Sequence, residues 1–219
     1  MNRNRFKDAL WFNKPNHMIL GGAGGIGSWT ALLLCRSNRH NIYIYDYDII
    51  EDHNLAGQLF KETQIGQLKT HAVRQNVLEF CPDAIIRQDV LYDKYSISSP
   101  IMIAGFDNML ARKLMYDNWK VQEDRELFID PRLSAENYQI YFVKKGQEER
   151  YEKTLFTDDE LEADICTLKA TSHFAAMCAA KIVQGLNAYL ANNEAKEEVY
   201  VLPFFIHEVG QVFNLNVEL

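Results

Sequence analysis

The sequence predicts an α/β fold of the Rossmann type: a mostly parallel sheet with helices on both faces, and antiparallel strands in the last third of the chain. Three observations support this prediction. A short apolar segment runs directly into a glycine turn, segments typical of strands and helices then alternate, and this alternation stops near residue 137. The whole chain, residues 1–219, is interpreted as one domain because we find no repeat and no linker rich in Pro, Gly or Ser.

The beginning of the chain has the pattern of a βαβ unit. Residues 17–20 (HMIL) are apolar and lead into Gly21 and Gly22, and residues 28–37 have one apolar side, as in a helix. Residues 41–47 (NIYIYDY) are β-branched and aromatic, and they end at acidic side chains. Strand, glycine turn, helix and strand in about 30 residues predict a right-handed βαβ unit.

The next segments continue this alternation. Because helices that connect parallel strands pack on the sheet, we expect both faces to be covered. Helices are predicted at residues 66–80 and 108–122, and strands at residues 84–90, 101–104 and 126–129.

The last third has a different pattern. Polar and apolar side chains alternate over residues 137–144, which predicts an antiparallel strand. We expect a charged loop or lid at residues 146–164, a long helix at 167–190, and closing strands at 199–206 and 209–217.

Composition and charge exclude several classes of protein. The chain is 47% hydrophobic and 24% charged, which is ordinary for a globular protein. Its longest apolar run is about eight residues, far from the ~20 needed to cross a bilayer, and the N-terminus does not resemble a signal peptide. The net charge of -7 argues against nucleic-acid binding. We therefore expect a cytoplasmic protein that binds neither membrane nor nucleic acid.

The four cysteines form no CxxC pair, so we expect reduced thiols, no disulfide framework and no structural zinc. Cys35 and Cys178 lie in apolar helical segments and are interpreted as core residues. Cys81 precedes Pro82 and is interpreted as a helix-end residue.

The glycine turn, GAGGIGS at residues 22–28, is the first candidate site. Gly22, Gly24 and Gly27 match the pattern GxGxxG between a strand and a helix, and Gly25 belongs to the same turn. Asp46 follows Gly27 by 19 residues, at the end of the second strand, where a carboxylate can bind a ribose. This pattern predicts a nucleotide site without separating NAD from ATP; the alternative is a tight turn with no ligand.

The residues after the second strand help to separate an NAD site from an ATP site. Asp46 begins the segment DYDIIEDHNLAGQLF, residues 65–69 read IGQLK, and residues 105–108 read GFDN, with Arg112 shortly after. This order resembles the ThiF/MoeB/HesA family of proteins similar to ubiquitin-activating enzymes. That family has GxGGxGS, then DxDxVxxxNLxRQ, then GxxK, then a strand ending in Asp-Asn. The resemblance covers roughly residues 6–133.

The resemblance implies an ATP-dependent adenylyltransferase that activates the C-terminal carboxylate of a ubiquitin-like protein or a peptide. In this family Asp46 would bind the ribose, Lys69 the phosphates and Asp107 a Mg²⁺ ion. Polar positions of the family's site are also matched, by Asp48, Asn54, Gln58 and Arg112. Other interpretations remain open: Lys69 as a solvated helix residue, Asp107-Asn108 as a helix cap, and Asn54 as a turn residue.

One position departs from the family pattern: Gly57 stands where the family usually has an arginine. Either activity is weakened, or Arg132, Arg3 or Arg5 supplies the missing guanidinium. Short family members of phages and mobile elements resemble the chain at Asp130-Pro131-Arg132. In family dimers an N-terminal arginine reaches the partner's ATP site. Arg3 and Arg5 as plain surface residues are the alternative.

Two further expectations come from the resemblance. Many members pass the activated acyl group to a cysteine, and Cys166 lies just before the long helix, where a thiol has a lowered pKa; a structural role is the alternative. A homodimer is also expected. Two other functions remain open. One is a non-catalytic protein that binds a nucleotide or a partner, which Gly57 favours. The other is an NAD-dependent oxidoreductase, against which Lys69 and Asp107 argue because a dinucleotide site does not need them.

Overall fold

The computed structural model describes residues 4–12, 16–38, 41–156 and 171–219. In this part of the chain, eight strands form one sheet. They are β1 His17–Gly21, β2 Asn41–Tyr45, β3 Ile85–Asp89, β4 Ile101–Ala104, β5 Leu127–Ser134, β6 Asn137–Lys144, β7 Phe205–Val209 and β8 Asn214–Glu218. The helices are α1 Gly25–Ser37, α2 Lys69–Phe80, α3 Met109–Lys120, α4 Glu148–Glu152 and α5 Ser172–Ala195.

The strand order is β3-β2-β1-β4-β5-β6-β7-β8. Strands β1 to β5 are parallel, and β6, β7 and β8 join antiparallel, which confirms the predicted fold class. At its carboxyl end β1 lies between β2 and β4, with Gly21 level with Tyr45 on one side and Ala104 on the other. Since the sheet grows outward in both directions from β1, a crevice forms here, where ligands of open α/β sheets bind.

Helices cover both faces of the sheet, as predicted. On one face α1, α2 and α5 enclose an aliphatic core that includes Leu34, Val77 and Ile182. On the other face α3 and α4 pack an aromatic core around Trp119 and Tyr151. Both cores bury apolar side chains that are continuous along the central strands, as expected of strands covered on both sides.

Strand β5 is longer than predicted. The expected strand at residues 126–129 extends to Ser134, because β6 pairs with all eight residues of β5. Pro131 is tolerated since β4 pairs with β5 only as far as Ile129, which leaves the β4 side of Pro131 without a ladder. This extension carries Asp130 and Arg132 past the end of β4.

Several predicted boundaries were wrong. Helix α2 begins at Lys69 rather than residue 66, because Gly66 has a φ of 85° and lies in a turn. The expected loop or lid at 146–164 contains α4 in its described part, and residues 157–164 lie outside the described residues. The expected strand at 199–206 is mostly loop, held by the Asn192 side chain, which accepts hydrogen bonds from the Val199 and Tyr200 amides at 2.9 and 2.8 Å.

Helix α5 is long and apolar enough, by length and composition, to cross a membrane. The search for continuous apolar runs in the sequence did not detect it. However, 61% of its most apolar stretch of 18 residues is buried inside the fold. It packs against α1, β5 and β6, as a core helix does. The expected helix at 167–190 ends later, at Ala195, and its first four residues lie outside the described residues.

Candidate nucleotide site

The glycine turn connects β1 to α1 at the carboxyl edge of the sheet. Gly22 has a φ of 83°, and its amide donates to the Tyr45 carbonyl oxygen at 2.8 Å. A Cβ at Gly22 would lie 2.5 Å from the Gly105 carbonyl oxygen, and one at Gly27 would overlap the Gly22 carbonyl oxygen. Packing of the protein itself therefore requires glycine at positions 22 and 27.

The two middle glycines are different. A Cβ at Gly24 would meet only the Gln58 side chain, at 3.8 Å, and one at Gly25 would lie 3.6 Å from the Ala175 Cβ. These are ordinary contacts, so protein packing alone would accept a side chain here. Helix α1 also begins without a side-chain cap. The turn thus has room for a Cβ at both positions and presents backbone amides of a helix N-terminus, an arrangement suited to phosphate.

Asp46 connects the end of β2 to this turn. Its Oδ2 accepts a hydrogen bond from the Ala23 amide at 2.6 Å, and its Oδ1 accepts one from the Asp48 amide at 2.8 Å. Burial raises the pKa of Asp46, and these two hydrogen bonds oppose the rise. A carboxylate has about four acceptor positions, so two remain for a ligand.

Lys69 begins α2 and is held by Asp48. Its Nζ lies 2.6 Å from Asp48 Oδ2, and its amide donates to the Asp48 carbonyl oxygen at 2.9 Å. Lys69 is only 7% exposed, which argues against a solvated helix residue. Its ammonium group is therefore held at the carboxyl edge of the sheet, near Asp46.

Asn54 and Gln58 lie on the segment that follows Asp48. Asn54 is buried and accepts a hydrogen bond from the Glu51 amide at 2.9 Å, so it shapes the turn around the short 3₁₀ helix Asp52–Ala56. The Gly57 carbonyl oxygen accepts a hydrogen bond from Trp29 Nε1 at 3.4 Å, which places this segment against α1. The buried Oε1 of Gln58 has no partner among the described residues, and its side chain borders Gly24.

Asp107 and Asn108 follow β4. Asn108 Oδ1 accepts from the Ala111 amide at 2.8 Å, which caps α3, and Asn108 Nδ2 donates to Asp107 Oδ1 at 3.2 Å. Asp107 is exposed, two residues beyond Gly105, which contacts Gly22. The described residues contain no group of three His, Cys, Asp or Glu side chains that could enclose a metal. A single carboxylate suits Mg²⁺, which usually takes its remaining ligands from phosphates and water.

A buried ionic cluster lies next to this edge, and the sequence analysis did not predict that its residues meet. We call it the Asp130 cluster; it consists of Arg112, Asp130, Arg132 and Tyr151. Asp130 is completely buried and forms ion pairs with both Arg112 and Arg132. The Tyr151 hydroxyl donates to Asp130 Oδ2 at 3.0 Å. The only sequence signal for the cluster is Asp-x-Arg in β5, because residues two apart in a strand share a face.

Arg112 and Arg132 are therefore both engaged within the protein. Arg112 also donates to the Pro131 carbonyl oxygen at 2.6 Å. Arg132 donates to the Thr154 carbonyl oxygen at 3.0 Å, and its guanidinium lies over the Tyr141 ring, 4.5 Å from the centroid. Burial lowers the pKa of Arg132, but Asp130, Tyr151 and Tyr141 together raise it above its ordinary value.

The remaining candidates lie apart from this edge or outside the described residues. Arg5 is exposed on a short 3₁₀ helix, Asn4–Phe6, and Arg3 is outside the described residues, as is Cys166. Cys35, Cys81 and Cys178 are buried, and burial raises the pKa of the Cys178 thiol. Those three cysteines are core residues, as expected for Cys35 and Cys178.

Comparison with known proteins adds the following findings. The model of the ThiF family matches residues 13–207. Ubiquitin-like modifier-activating enzyme 5 of Arabidopsis thaliana is 37% identical over 65 residues, 30% of this chain and 15% of that protein. A probable molybdopterin-synthase adenylyltransferase of Porphyra purpurea is 30% identical over 112 residues, 48% of this chain and 29% of that protein.

Among solved structures, E. coli MccB with MccA-N7isoASN superimposes with a TM-score of 0.75 at 17% identity, over 97% of this chain and 66% of that one. E. coli MccB with ATP gives 0.73 at 16% identity, over 94% and 64%. PaaA gives 0.70 at 15% identity, over 93% and 63%. At these identities the likeness shows the fold. The matched region is under a third of both curated relatives and about two thirds of these structures.

Proposed function

The chain belongs to the ThiF family, and from this premise we propose that it is an ATP-dependent adenylyltransferase that activates the terminal carboxylate of a ubiquitin-like protein or a peptide. One observation carries the proposal: the open glycine turn, the Asp46 carboxylate, the Asp48–Lys69 ion pair and the Asp107 segment meet at one sheet edge. The structurally similar MccB has been solved with ATP and with MccA-N7isoASN, which supports the two reactants of this proposal, ATP and a peptide.

In this proposal each residue has a role set by its surroundings. The α1 amides at Gly24 and Gly25 bind phosphate oxygens, and Asp46 offers its two unused acceptor positions to the ribose hydroxyls. Lys69 supplies positive charge beside the phosphates. Asp107 and the phosphates would hold Mg²⁺, which supplies charge neutralisation for the leaving pyrophosphate.

Gly57 favours a second candidate function. Gly57 has no side chain, so this position offers no cation to a phosphate, and its carbonyl oxygen accepts a hydrogen bond from Trp29 Nε1. A non-catalytic protein that binds nucleotide would need less phosphate stabilisation than an enzyme. Turnover separates the two functions.

Two parts of the proposal concern steps after or around adenylation. Cys166 is the proposed acceptor for acyl transfer, since the described cysteines are all buried.

A homodimer is proposed on the face that carries β8, where Phe213 is 97% exposed and Val217 53%. A groove of about 550 Å³ runs there between α5 and β8. A stable dimer should bury at least about 2,000 Å², and sedimentation at micromolar concentration tests it.

The proposed function is tested in two stages. Equilibrium binding should detect ATP more strongly than NAD, with ATP affinity increased by Mg²⁺. Labelled pyrophosphate should then exchange into ATP when a ubiquitin-like protein or peptide with a free C-terminus is supplied. Cys166→Ala should leave exchange intact and abolish a thiol-linked product. Tight ATP binding with no exchange for any such substrate would favour the binding protein, and NAD binding in preference to ATP would overturn both.

A further inference from the structure

The backbone of Gln58 uses both of its polar groups inside the protein. Its amide donates to the Asn54 carbonyl oxygen at 3.0 Å, and its carbonyl oxygen accepts a hydrogen bond from the Phe60 amide at 2.9 Å. Its side chain borders Gly24, and the buried Oε1 has no partner among the described residues. The side-chain amide therefore lies beside the glycine turn with an unused acceptor, and its position depends on what holds the backbone.

The next residue, Leu59, is held by two buried side chains through both of its backbone polar groups. The Leu59 amide donates to Ser28 Oγ at 3.0 Å, and the Leu59 carbonyl oxygen accepts a hydrogen bond from Asn76 Nδ2 at 2.7 Å. Ser28 lies in α1 and is 0% exposed, and Asn76 lies in α2 and is 3% exposed. The segment is thus attached to the helix that follows the glycine turn and to the helix that begins at Lys69.

Asn76 is itself held by Gln64. Asn76 Oδ1 accepts a hydrogen bond from Gln64 Nε2 at 2.9 Å, and Asn76 Nδ2 donates to Gln64 Oε1 at 3.0 Å. Gln64 Oε1 also accepts a hydrogen bond from the Lys61 amide at 3.0 Å, and Gln64 is 4% exposed. Every polar atom of these two side chains is therefore bonded within the protein. A buried polar network that is fully satisfied favours one arrangement of its residues.

Helix formation does not account for this pair. Asparagine inside a helix is neutral or unfavourable, because its amide competes for backbone hydrogen bonds. Asn76 lies inside α2, with its amide bound to a carbonyl oxygen outside the helix. Neither Asn76 nor Gln64 belongs to the motifs by which the sequence resembles its family. What the pair does for the molecule is therefore to be found at the segment that it holds.

We propose that Asn76 and Gln64 are positioning residues for nucleotide binding: by holding the Leu59 carbonyl oxygen, they keep the Gln58 side chain in place beside Gly24. The inference rests on the proposed function, in which phosphates of ATP approach Gly24. It adds that part of the affinity for ATP is set by a buried pair of amide side chains that contacts no ligand.

A double-mutant cycle on the Kd for ATP tests this role. Asn76→Ala should raise the Kd about 2- to 30-fold, because Gln58 loses its fixed position. The same substitution in a Gln58→Ala background should change the Kd little, since the side chain through which Asn76 acts is gone. A merely structural role would give effects that multiply. Multiplied effects, or an unchanged Kd in Asn76→Ala, would overturn the proposal.

The matched control is Asn38→Ala. Asn38 is also buried, at 1% exposure, and its Nδ2 donates to a backbone carbonyl oxygen, that of Trp11, at 3.0 Å. It follows the last residue of α1, whereas the glycine turn precedes the first, so this variant should lose stability and keep its Kd for ATP. A rise in Kd as large as that of Asn76→Ala would overturn the positioning role in favour of a general loss of stability.

Ser28→Ala provides a second variant in case Asn76→Ala does not fold. It removes the acceptor of the Leu59 amide and leaves the Gln64–Asn76 pair intact. Its effect on the Kd for ATP should also disappear in a Gln58→Ala background. Effects of these two substitutions that multiply would again overturn the proposal.

Hydrogen exchange of the Leu59 amide tests the attachment without a ligand. In Asn76→Ala this amide should lose more protection than the amides in the middle of α1, because the segment opens locally. An equal loss at both places would show that Asn76 does not hold the segment. Absence of ATP binding by the wild-type protein would overturn the proposed function, whereas the exchange of the Leu59 amide separately decides whether Asn76 fixes the segment.

Discussion

The glycine turn and the Asp130 cluster lie at the same sheet edge but are built differently. The turn consists of backbone, and at Gly24 and Gly25 it has room for a Cβ that the sequence does not fill. The Asp130 cluster consists of side chains from α3, β5 and α4 that bind one another through ion pairs and hydrogen bonds. One sheet edge thus combines a turn that leaves room beside its backbone with an ion network held together by the protein's own side chains.

If the Asp130 cluster depends on its single carboxylate, Asp130→Asn should have the largest effect on stability. The substitution leaves two buried guanidinium groups without a counter-ion, so the free energy of unfolding should fall by about 3–5 kcal/mol. Urea unfolding measures it. Asp117→Asn, which removes an exposed partner of Lys113, should cost at most about 1 kcal/mol. Equal costs for the two variants would show that the cluster is not a buried ion network.

A substitution of Asp107, which follows β4, tests its proposed role as the Mg²⁺ ligand. Asp107→Ala should lower the rate of pyrophosphate exchange about 10²- to 10³-fold, because one preorganised electrostatic contact is lost. Asp107 is exposed, so stability should change little. Asp117→Ala on α3 is the matched control for exchange. Exchange that survives in Asp107→Ala would remove Asp107 as the Mg²⁺ ligand.

The glycines of the turn should divide into two groups. Gly24→Ala adds a methyl group to the open space, so the Kd for ATP should rise about 5- to 150-fold, the equivalent of 1–3 kcal/mol of overpacking. Its free energy of unfolding should stay within about 1 kcal/mol of the wild-type value. Gly27→Ala should instead lose stability, since its Cβ would overlap the Gly22 carbonyl oxygen. Unchanged ATP affinity in Gly24→Ala would mean that no phosphate approaches this position.

The smallest effect concerns pH. Burial raises the pKa of Asp46 above its ordinary value of 3.8, so the native state holds this proton more tightly than the unfolded state. Its contribution to stability is present below pH 3.8 and is lost as the pH rises through the raised pKa, by less than about 1.4 kcal/mol per pH unit. Urea unfolding of the wild-type protein and Asp46→Asn between about pH 3.5 and 6 should show a stability difference that declines with pH. A difference that grows with pH would contradict the assignment.

The two regions also differ in how far the sequence predicts them. The glycine turn, β1 and β4 depend on local signals, such as the spacing of glycines and short apolar runs, and the sequence analysis found them. The Asp130 cluster joins residues 112, 130, 132 and 151, which meet only through packing of α3 and α4 on the sheet. Asp130 and Arg132 share a face of β5 because they are two residues apart, but no local pattern indicates that Arg112 and Tyr151 reach the same carboxylate.

One of the boundaries that failed, at residues 199–206, has the same cause. The apolar run at residues 199–206 has the composition of a strand, yet β7 begins only at Phe205. The Asn192 side chain, from the end of α5, binds the backbone of Val199 and Tyr200 and so prevents these residues from joining the sheet. Such a contact between distant residues is not visible in the periodicity of either segment.

The Asp48–Lys69 ion pair has a consequence for the thermodynamics of ATP binding. A free lysine side chain loses about 1.5–2 kcal/mol of conformational entropy when it is ordered. Lys69 is already ordered by Asp48 at 2.6 Å, so this loss belongs to folding and not to the arrival of the nucleotide. A phosphate that enters the crevice meets an ammonium group that needs no search for its rotamer. The association entropy of ATP should therefore be less unfavourable than the charge of the ligand alone implies.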